Sequence, residues 1–383
     1  MTVRTRLIVL FVSAPILAFV VVGGMLGRVS ARQDAYPHLR IFEDVLSLIS
    51  SNYVEEANLS RVMRGAMRGL AEGLDADSAY LPPDEVQLFE SGDKTATGET
   101  GIELTRNYYL RIIATRDNSP AARAGLHAGD FLRAINNKPT REMSVVEGRR
   151  LLRGAPGTKV TLLVIRGNAA DPHAVEVTRE TLGGAEVTSR LDGQAGIIRI
   201  SAFGPTAAAA VASQAAELAR NGATGLVVDV RDTATGAYDA GIAIARLFVP
   251  SGTISVKQMR GAARQQVAAA AGDGVVKLPA VVLVDDGTSG ASELFAAALA
   301  DNKRAQLVGE HTQGRAAVQK FVRLPDGSAM LVSNGWYLTP AGAQIHEKGL
   351  TPSIAVDVPD VEFGATPPPG DPILQKALET LRK

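Results

Sequence analysis

Cysteine is absent from the 383 residues. Disulfide frameworks, thiol nucleophiles and zinc–thiolate sites are therefore excluded. Aromatic residues make up 5% and tryptophan occurs once, too few for a base-stacking platform. Net charge is also missing, because 40 basic side chains cancel 40 acidic ones. Nucleic acid is thus not an expected partner. The five histidines (His38, His127, His173, His311, His346) stand singly, with no pair at metal-ligand spacing on one element. We expect no metal and no other cofactor.

What is present begins with a 46% hydrophobic fraction, enough for a sizeable core in two or three domains. Arg4 and Arg6 precede 20 uncharged residues, Leu7 to Leu26. As a helix that stretch spans a hydrocarbon core of ~30 Å. It exceeds a secretory h-region of about 7–15 residues, although Val29-Ser30-Ala31 offers a cleavage site. Arg28 and Arg32 weaken the positive-inside signal without removing it. We read residues 1–32 as a signal anchor in preference to a cleaved signal peptide. Either way, the rest of the chain is expected to be periplasmic or otherwise extracytoplasmic, and as a signal anchor the segment would hold it at the inner (cytoplasmic) membrane.

Residues 35–95 carry two helical patterns. Ile41, Val45, Ile49 and Tyr53 fall at a four-residue step, and Val62, Met63, Ala66, Met67, Leu70 and Leu74 follow. A helical hairpin suited to self-association is expected, ended by Pro82-Pro83. From Gly98 the period changes to two. "TGIELT", "LRIIATR", "FLRAINN", "KVTLLVIRG" and "AVEVTRE" predict five short strands with two helices between them, a partly open barrel over 96–184. Ser144 and Glu147 form a capping box for the second helix.

Over 185–358 the pattern is α/β. "GLVVDV" and "PAVVLVD" are continuous apolar runs, as expected of strands buried on both faces. "VRLPDGSAMLVS" predicts a hairpin turning at Asp326-Gly327. Residues 359–383 are a linker and a terminal helix. Most informative is "VDDGTSGASELFAAAL": an apolar strand runs through a Gly/Thr/Ser turn into a helix starting near Ser292. Such an elbow presents its tip residue to a substrate, and a hydrolase would carry serine there.

Several segments carry a resemblance. "TGIELT" with "SPAARAGLHAGDFLRAINNKPT" resembles a PDZ domain, with Thr100, Gly101, Ile102, Glu103 and Leu104 as its carboxylate-binding loop. "LDADSAYLPPDEV", "LVVDVRD", "ASELFAAAL", "VGEHTQGRAAVQ" and "YLTPAGAQIHEKGLTPSI" occur in the order found in the C-terminal processing (tail-specific) peptidases. The resemblance covers roughly 40 to 380. It implies a multidomain α+β protein: an N-terminal transmembrane or signal helix, a helical hairpin, a PDZ domain and a ClpP/crotonase-like α/β peptidase core. It also implies a Ser–Lys dyad that cuts proteins near their C-termini.

Carried over residue by residue, the family's S-A-S-A-S-E becomes "TSGASE", which puts Gly290 at the nucleophile position. The lysine of F-G-K-G becomes Arg315 in "QGRA", 25 residues further on as in the family. The supporting glutamine is kept as Gln319. The oxyanion region corresponds to Gly236 and Ala291. There L-R-N-N-P-G-G has become "VRDTATG", and Thr235 replaces a glycine. A β-branched residue resists positive φ, so strain or rearrangement is expected at 235.

Glycine supplies no oxygen to attack, and a guanidinium stays charged at neutral pH and cannot accept a proton. The dyad is therefore not intact. Ser289 and Ser292 are the alternative nucleophiles for an active serine endopeptidase. Against that role, Ser292 is expected to cap the helix and Ser289 to hydrogen-bond in the turn. Arg315 is expected either to hold a peptide carboxylate or to pair with a nearby acid such as Glu293 or Glu310. The reading is a pseudopeptidase that binds protein C-termini through its PDZ domain as scaffold, adaptor or regulator. Its partners are C-terminal peptides, an active homologue or further copies of itself, and the membrane.

Overall fold

The computed structural model describes residues 36–91, 96–167, 171–359, 361–365 and 369–382. The expected anchor, Leu7 to Leu26, lies outside them. No helix among the described residues is long and apolar enough to cross a membrane. The chain divides between Met67 and Arg68 into two units.

In the first unit, helix α1 is Tyr36–Asn52 and buries none of its residues. Ile41 and Val45, expected on one apolar face with Ile49, are exposed; Phe42, Leu46 and Ile49 are the half-buried set. Helix α2, Leu59–Glu72, crosses the boundary between the units.

The second unit holds three sheets. The central one orders its strands as β17 (Ile354–Ala355), β14 (Ala305–Gly309), β13 (Ala280–Val284), β10 (Gly225–Asp229), β9 (Ala195–Ile200) and β8 (Val187–Asp192). All neighbours are parallel except β8 and β9. Strand alternation sorts the apolar runs into two layers. Leu226, Val228, Val282 and Val284 pack with Phe203, Phe248 and Phe295 beneath helices α6 (Ala207–Arg220), α7 (Tyr238–Phe248) and α8 (Ala291–Asp301). Val227, Val281 and Leu283 face the other way, onto Ile373 and Ala377 of α9 (Pro372–Leu381). Continuous hydrophobicity in these strands thus reflects helices on both faces.

A second, antiparallel sheet runs β1 (Ala79–Leu81), β16 (Ala329–Leu338), β11 (Thr253–Met259) and β12 (Gln265–Ala268), with β15 (Ala317–Arg323) paired to β16. Helix α3 (Pro83–Ser91) follows β1. The β15–β16 turn lies at Asp326-Gly327, as the sequence predicts, with Gly327 at φ 86°. Helix α7 and strands β1, β11 and β12 were not foreseen. Strands β1, "AYL", and β12, "QQVA", are too short or too polar to show a period.

The third sheet is β2 (Ile102–Asn107), β3 (Tyr109–Thr115), β4 (Phe131–Ile135), β6 (Lys159–Ile165) and β7 (His173–Thr178), with β5 (Lys138–Pro139) beside β4. Short helix α4 (Pro120–Arg123) and helix α5 (Val145–Leu152) complete it. Ser144 caps α5, accepting the Glu147 N–H at 3.0 Å. Strand β2 is an edge, bonded only to β3.

Candidate functional site

Ligands of open α/β sheets bind beyond the carboxyl ends of the strands. Here two loops meet at that end, 230–237 after β10 and 285–290 after β13. The second is the elbow. Its tip, Gly290, has φ 74° and ψ −117° and is the N-cap of α8. Glycine adopts this region without a Cβ penalty. A Cβ built there would meet nothing closer than the Arg315 carbonyl at 3.9 Å. The elbow thus has room for a larger side chain but carries none.

Glu293 fixes the elbow. It is fully buried and lies three residues past the cap. Its Oε2 accepts the Gly290 N–H (3.0 Å) and the Arg315 N–H (2.8 Å). Its Oε1 accepts the Gly314 N–H (2.7 Å) and the Thr312 hydroxyl (2.5 Å). Burial pushes this carboxyl's pKa up, and the four donors oppose the rise. One side chain therefore holds residues 290 and 315 in register, whatever their own side chains are.

Arg315 does not pair with Glu293 through its guanidinium; Glu293 takes its backbone N–H instead. The expected pairing with Glu293 is corrected by an acid 238 positions earlier. Arg315 Nε donates to Asp77 Oδ1 at 2.9 Å. Gln319 Nε2 donates to the Asp77 carbonyl, which anchors the same loop. The Tyr238 hydroxyl donates to the Arg315 carbonyl at 3.2 Å. Burial opposes the charge on Arg315, but Asp77, Glu103 and Tyr238 outweigh it and lift the guanidinium above its ordinary value. Such a group cannot serve as a general base.

The two candidate serines are buried, at 1% and 0% exposure for Ser289 and Ser292. Gly290, not Ser292, occupies the cap. The Ser292 hydroxyl instead crosses between loops: it accepts the Ser289 N–H (2.9 Å) and faces the Thr233 carbonyl at 2.6 Å as donor. The Ser289 hydroxyl, expected to bond in the turn, has no partner among the described residues. Its backbone is engaged instead: the N–H is shared between Ser292 Oγ and the Thr233 carbonyl (3.0 Å), and its carbonyl accepts from Ser292 Oγ at 2.8 Å. Among these residues no cluster of histidines and carboxylates could hold a metal ion.

Strain expected at Thr235 is absent, since its φ is not positive. The loop reverses at Asp232 (φ 47°) and Gly236 (φ 132°) instead. Only glycine fits at 236, where a Cβ would lie 2.4 Å from the Phe203 carbonyl oxygen. Ala291, the other oxyanion candidate, opens α8 and is buried against Gly241 of α7. Three carboxylates crowd the floor of this region. Burial and the neighbouring Asp232 push Asp285 up to about 8, and burial pushes Asp232 up to about 6. Arg111, on β3, binds the third, Asp286, at 2.9 Å.

The expected carboxylate-binding loop is well built. Thr100 is buried, and its carbonyl accepts the Ala121 N–H at 3.0 Å. Gly101 has φ 83°, and a Cβ there would lie 2.2 Å from Ser119 Cβ. Ile102 and Leu104 point into the local core. Glu103, between them, accepts from Arg149 of α5 at 2.9 Å and from the Thr235 hydroxyl at 3.2 Å. Asp77, Tyr238, Arg149 and Thr312 were not named from the sequence. Asp77 lies inside the "LDADSAY" segment, but nothing local marks it as the partner of Arg315.

Comparison with known proteins agrees with this arrangement. The model of peptidase family S41 matches residues 194–356, and a PDZ domain model matches residues 111–166. A carboxyl-terminal-processing protease of Synechocystis sp. is 37% identical over 298 residues, covering 75% of this chain and 70% of that protein. A carboxy-terminal processing protease of Bacillus subtilis is 30% identical over 317 residues, covering 82% and 67%. Among solved structures, the photosystem II D1 C-terminal processing protease superposes with a TM-score of 0.70 at 25% identity, covering 82% of this chain and 92% of that one. A mixed α/β core with a strand-to-helix elbow, a PDZ domain beside it and relatives of this similarity lead to one conclusion: the chain belongs to peptidase family S41, as a PDZ-containing homologue of the C-terminal processing proteases.

Proposed function

We propose that this protein is a catalytically inactive member of its family, a scaffold, adaptor or regulator that binds protein C-termini through its PDZ domain. One observation carries the reading. The elbow tip is a glycine, and the position expected to hold the base is an arginine whose charge is fixed by Asp77. Hydrolysis by the family's dyad needs an oxygen at the first position and a neutral nitrogen at the second. Both are missing, while the loop Thr100 to Leu104 and the open edge of β2 remain suited to strand addition. The anchor expected at residues 7–26 would make it an exported protein held at the membrane.

Fluorescence polarisation on the full chain in detergent tests the binding half. A labelled decapeptide with a free C-terminal carboxylate binds at least tenfold tighter than its amide. Equal affinity sinks the reading. Casein and a fluorophosphonate serine probe test the catalytic half. Neither hydrolysis nor stoichiometric labelling is expected.

A further inference from the structure

A cleft lies between helix α5, the end of α2 and the start of β15. Four guanidiniums line it, from Arg68, Arg106, Arg149 and Arg315, against two carboxylates, Glu72 and Asp77. Each acid is already engaged. Glu72 Oε1 lies 2.7 Å from Arg106 as an ion pair, although it accepts no hydrogen bond among the described residues, and Asp77 binds Arg315 at 2.9 Å. Glu103, just outside the lining, takes Arg149 at 2.9 Å. Positive charge is left over. Arg68 acts electrostatically on Glu72 and Glu85 but makes no close ion pair or hydrogen bond among the described residues, and neither terminal nitrogen of Arg315 has a hydrogen-bond partner there. The Nε of Arg149 is likewise unpartnered. Burial lowers the pKa of Arg106 and of Arg149, and the nearby charges of Arg68 and Arg315 lower them further. An incoming anion would relieve that repulsion.

The position of the cleft identifies the anion. A chain-end carboxylate held by Thr100 to Leu104 lies at the start of β2. The body of its peptide must then run along β2 towards Arg106, antiparallel to it. Strand rise is about 3.3 Å per residue, and Arg106 is four residues beyond Ile102. A peptide residue about four back from the C-terminus therefore lies beside Arg106, which lines the cleft. Ser144 and Val145, at the start of α5, also line it.

We propose that the cleft of Arg68, Arg106, Arg149 and Arg315 binds an acidic side chain about three to five residues upstream of the captured C-terminus. The proposal rests on the PDZ reading for the direction in which the peptide runs. It adds a selectivity: clients carry Glu or Asp at that distance from their ends. Arg315 then keeps a use in place of catalysis, because a guanidinium binds a carboxylate through two parallel hydrogen bonds.

Four labelled decapeptides test this against the full chain in detergent. Two carry Glu at the three positions three to five residues from the end, and two carry Gln there. One of each pair is a free acid and the other an amide. At 50 mM salt the Glu free acid binds about tenfold tighter than the Gln free acid, and 0.5 M salt removes most of the difference. The R68Q variant brings the ratio of the two affinities to about two or below; Arg68 supports no ion pair, so this change does not endanger the fold. No Glu advantage in either pair overturns the cleft inference, even where free acid still beats amide. An undiminished Glu advantage in R68Q overturns it also. A Glu advantage that persists in the amides supports the cleft and overturns chain-end capture instead.

Discussion

Arg315 and Asp77 form an ion pair, Nε to Oδ1 at 2.9 Å, with side-chain exposures of 21% and 7%. The position expected to hold a proton acceptor is thus a fixed cation with its own counter-ion. Asp77 also accepts from Gln319 through its carbonyl, so one loop residue meets both family positions.

That pair contributes to stability through what its loss leaves behind. Asp77→Asn strands the Arg315 charge and costs about 2 kcal/mol, less than a fully buried pair because Arg315 is partly exposed. Adding Arg315→Gln to Asp77→Asn recovers about 1 kcal/mol of the loss. Urea unfolding of both variants checks the pattern. A double variant no more stable than Asp77→Asn would remove the argument.

The elbow holds its turn with glycine at 290, so the proposed inactivity is testable by substitution. A serine at 290 has space for its Cβ but must adopt φ near 74°, at a cost of about 1–3 kcal/mol. The G290S/R315K variant is expected to take up a fluorophosphonate at residue 290 and to cut casein slowly, while G290S alone stays unlabelled. Mass spectrometry locates the label. Stoichiometric labelling of the unaltered protein would show that it is a working peptidase.

The two flanking serines separate cleanly. Ser292→Ala removes a buried link between the loops and costs about 1–2 kcal/mol. Ser289→Ala removes a buried hydroxyl that has no partner, so stability stays within about 0.5 kcal/mol or rises. Thermal melts distinguish them. A reversed order would contradict the hydrogen bonding described above.

The carboxylates beneath the elbow make stability depend on pH. Asp285, at about 8, and Asp232, at about 6, lie above the unfolded value of about 3.9. The folded state therefore holds extra protons between pH ~4 and ~8. Stability from this cluster is fully present below about pH 4 and is lost as pH rises through the folded values. Asp286 faces both groups, and Arg199, Arg231 and Asp117 act on Asp232. Asp285→Asn ends that titration, so its melting temperature should gain on the unaltered protein from pH 5 to 8. A gap that stays constant with pH would mean that Asp285 does not titrate there.

Much of this was already legible in the residues. The period-two runs located the strands around the PDZ loop. The continuous apolar runs of β10 and β13 announced a sheet covered on both faces, because such strands leave no polar side for water. The residue types at the elbow were legible too. No fold can give Gly290 an oxygen or take the charge from Arg315, since those are properties of the residue types. Tertiary structure decided the partners. Asp77 reaches Arg315 across 238 positions, Glu293 turns its carboxylate to four donors rather than to a cation, and Thr235 escapes strain because Asp232 and Gly236 take the reversals. Long-range pairing and loop conformation follow from how elements pack. A linear pattern records only which faces are apolar.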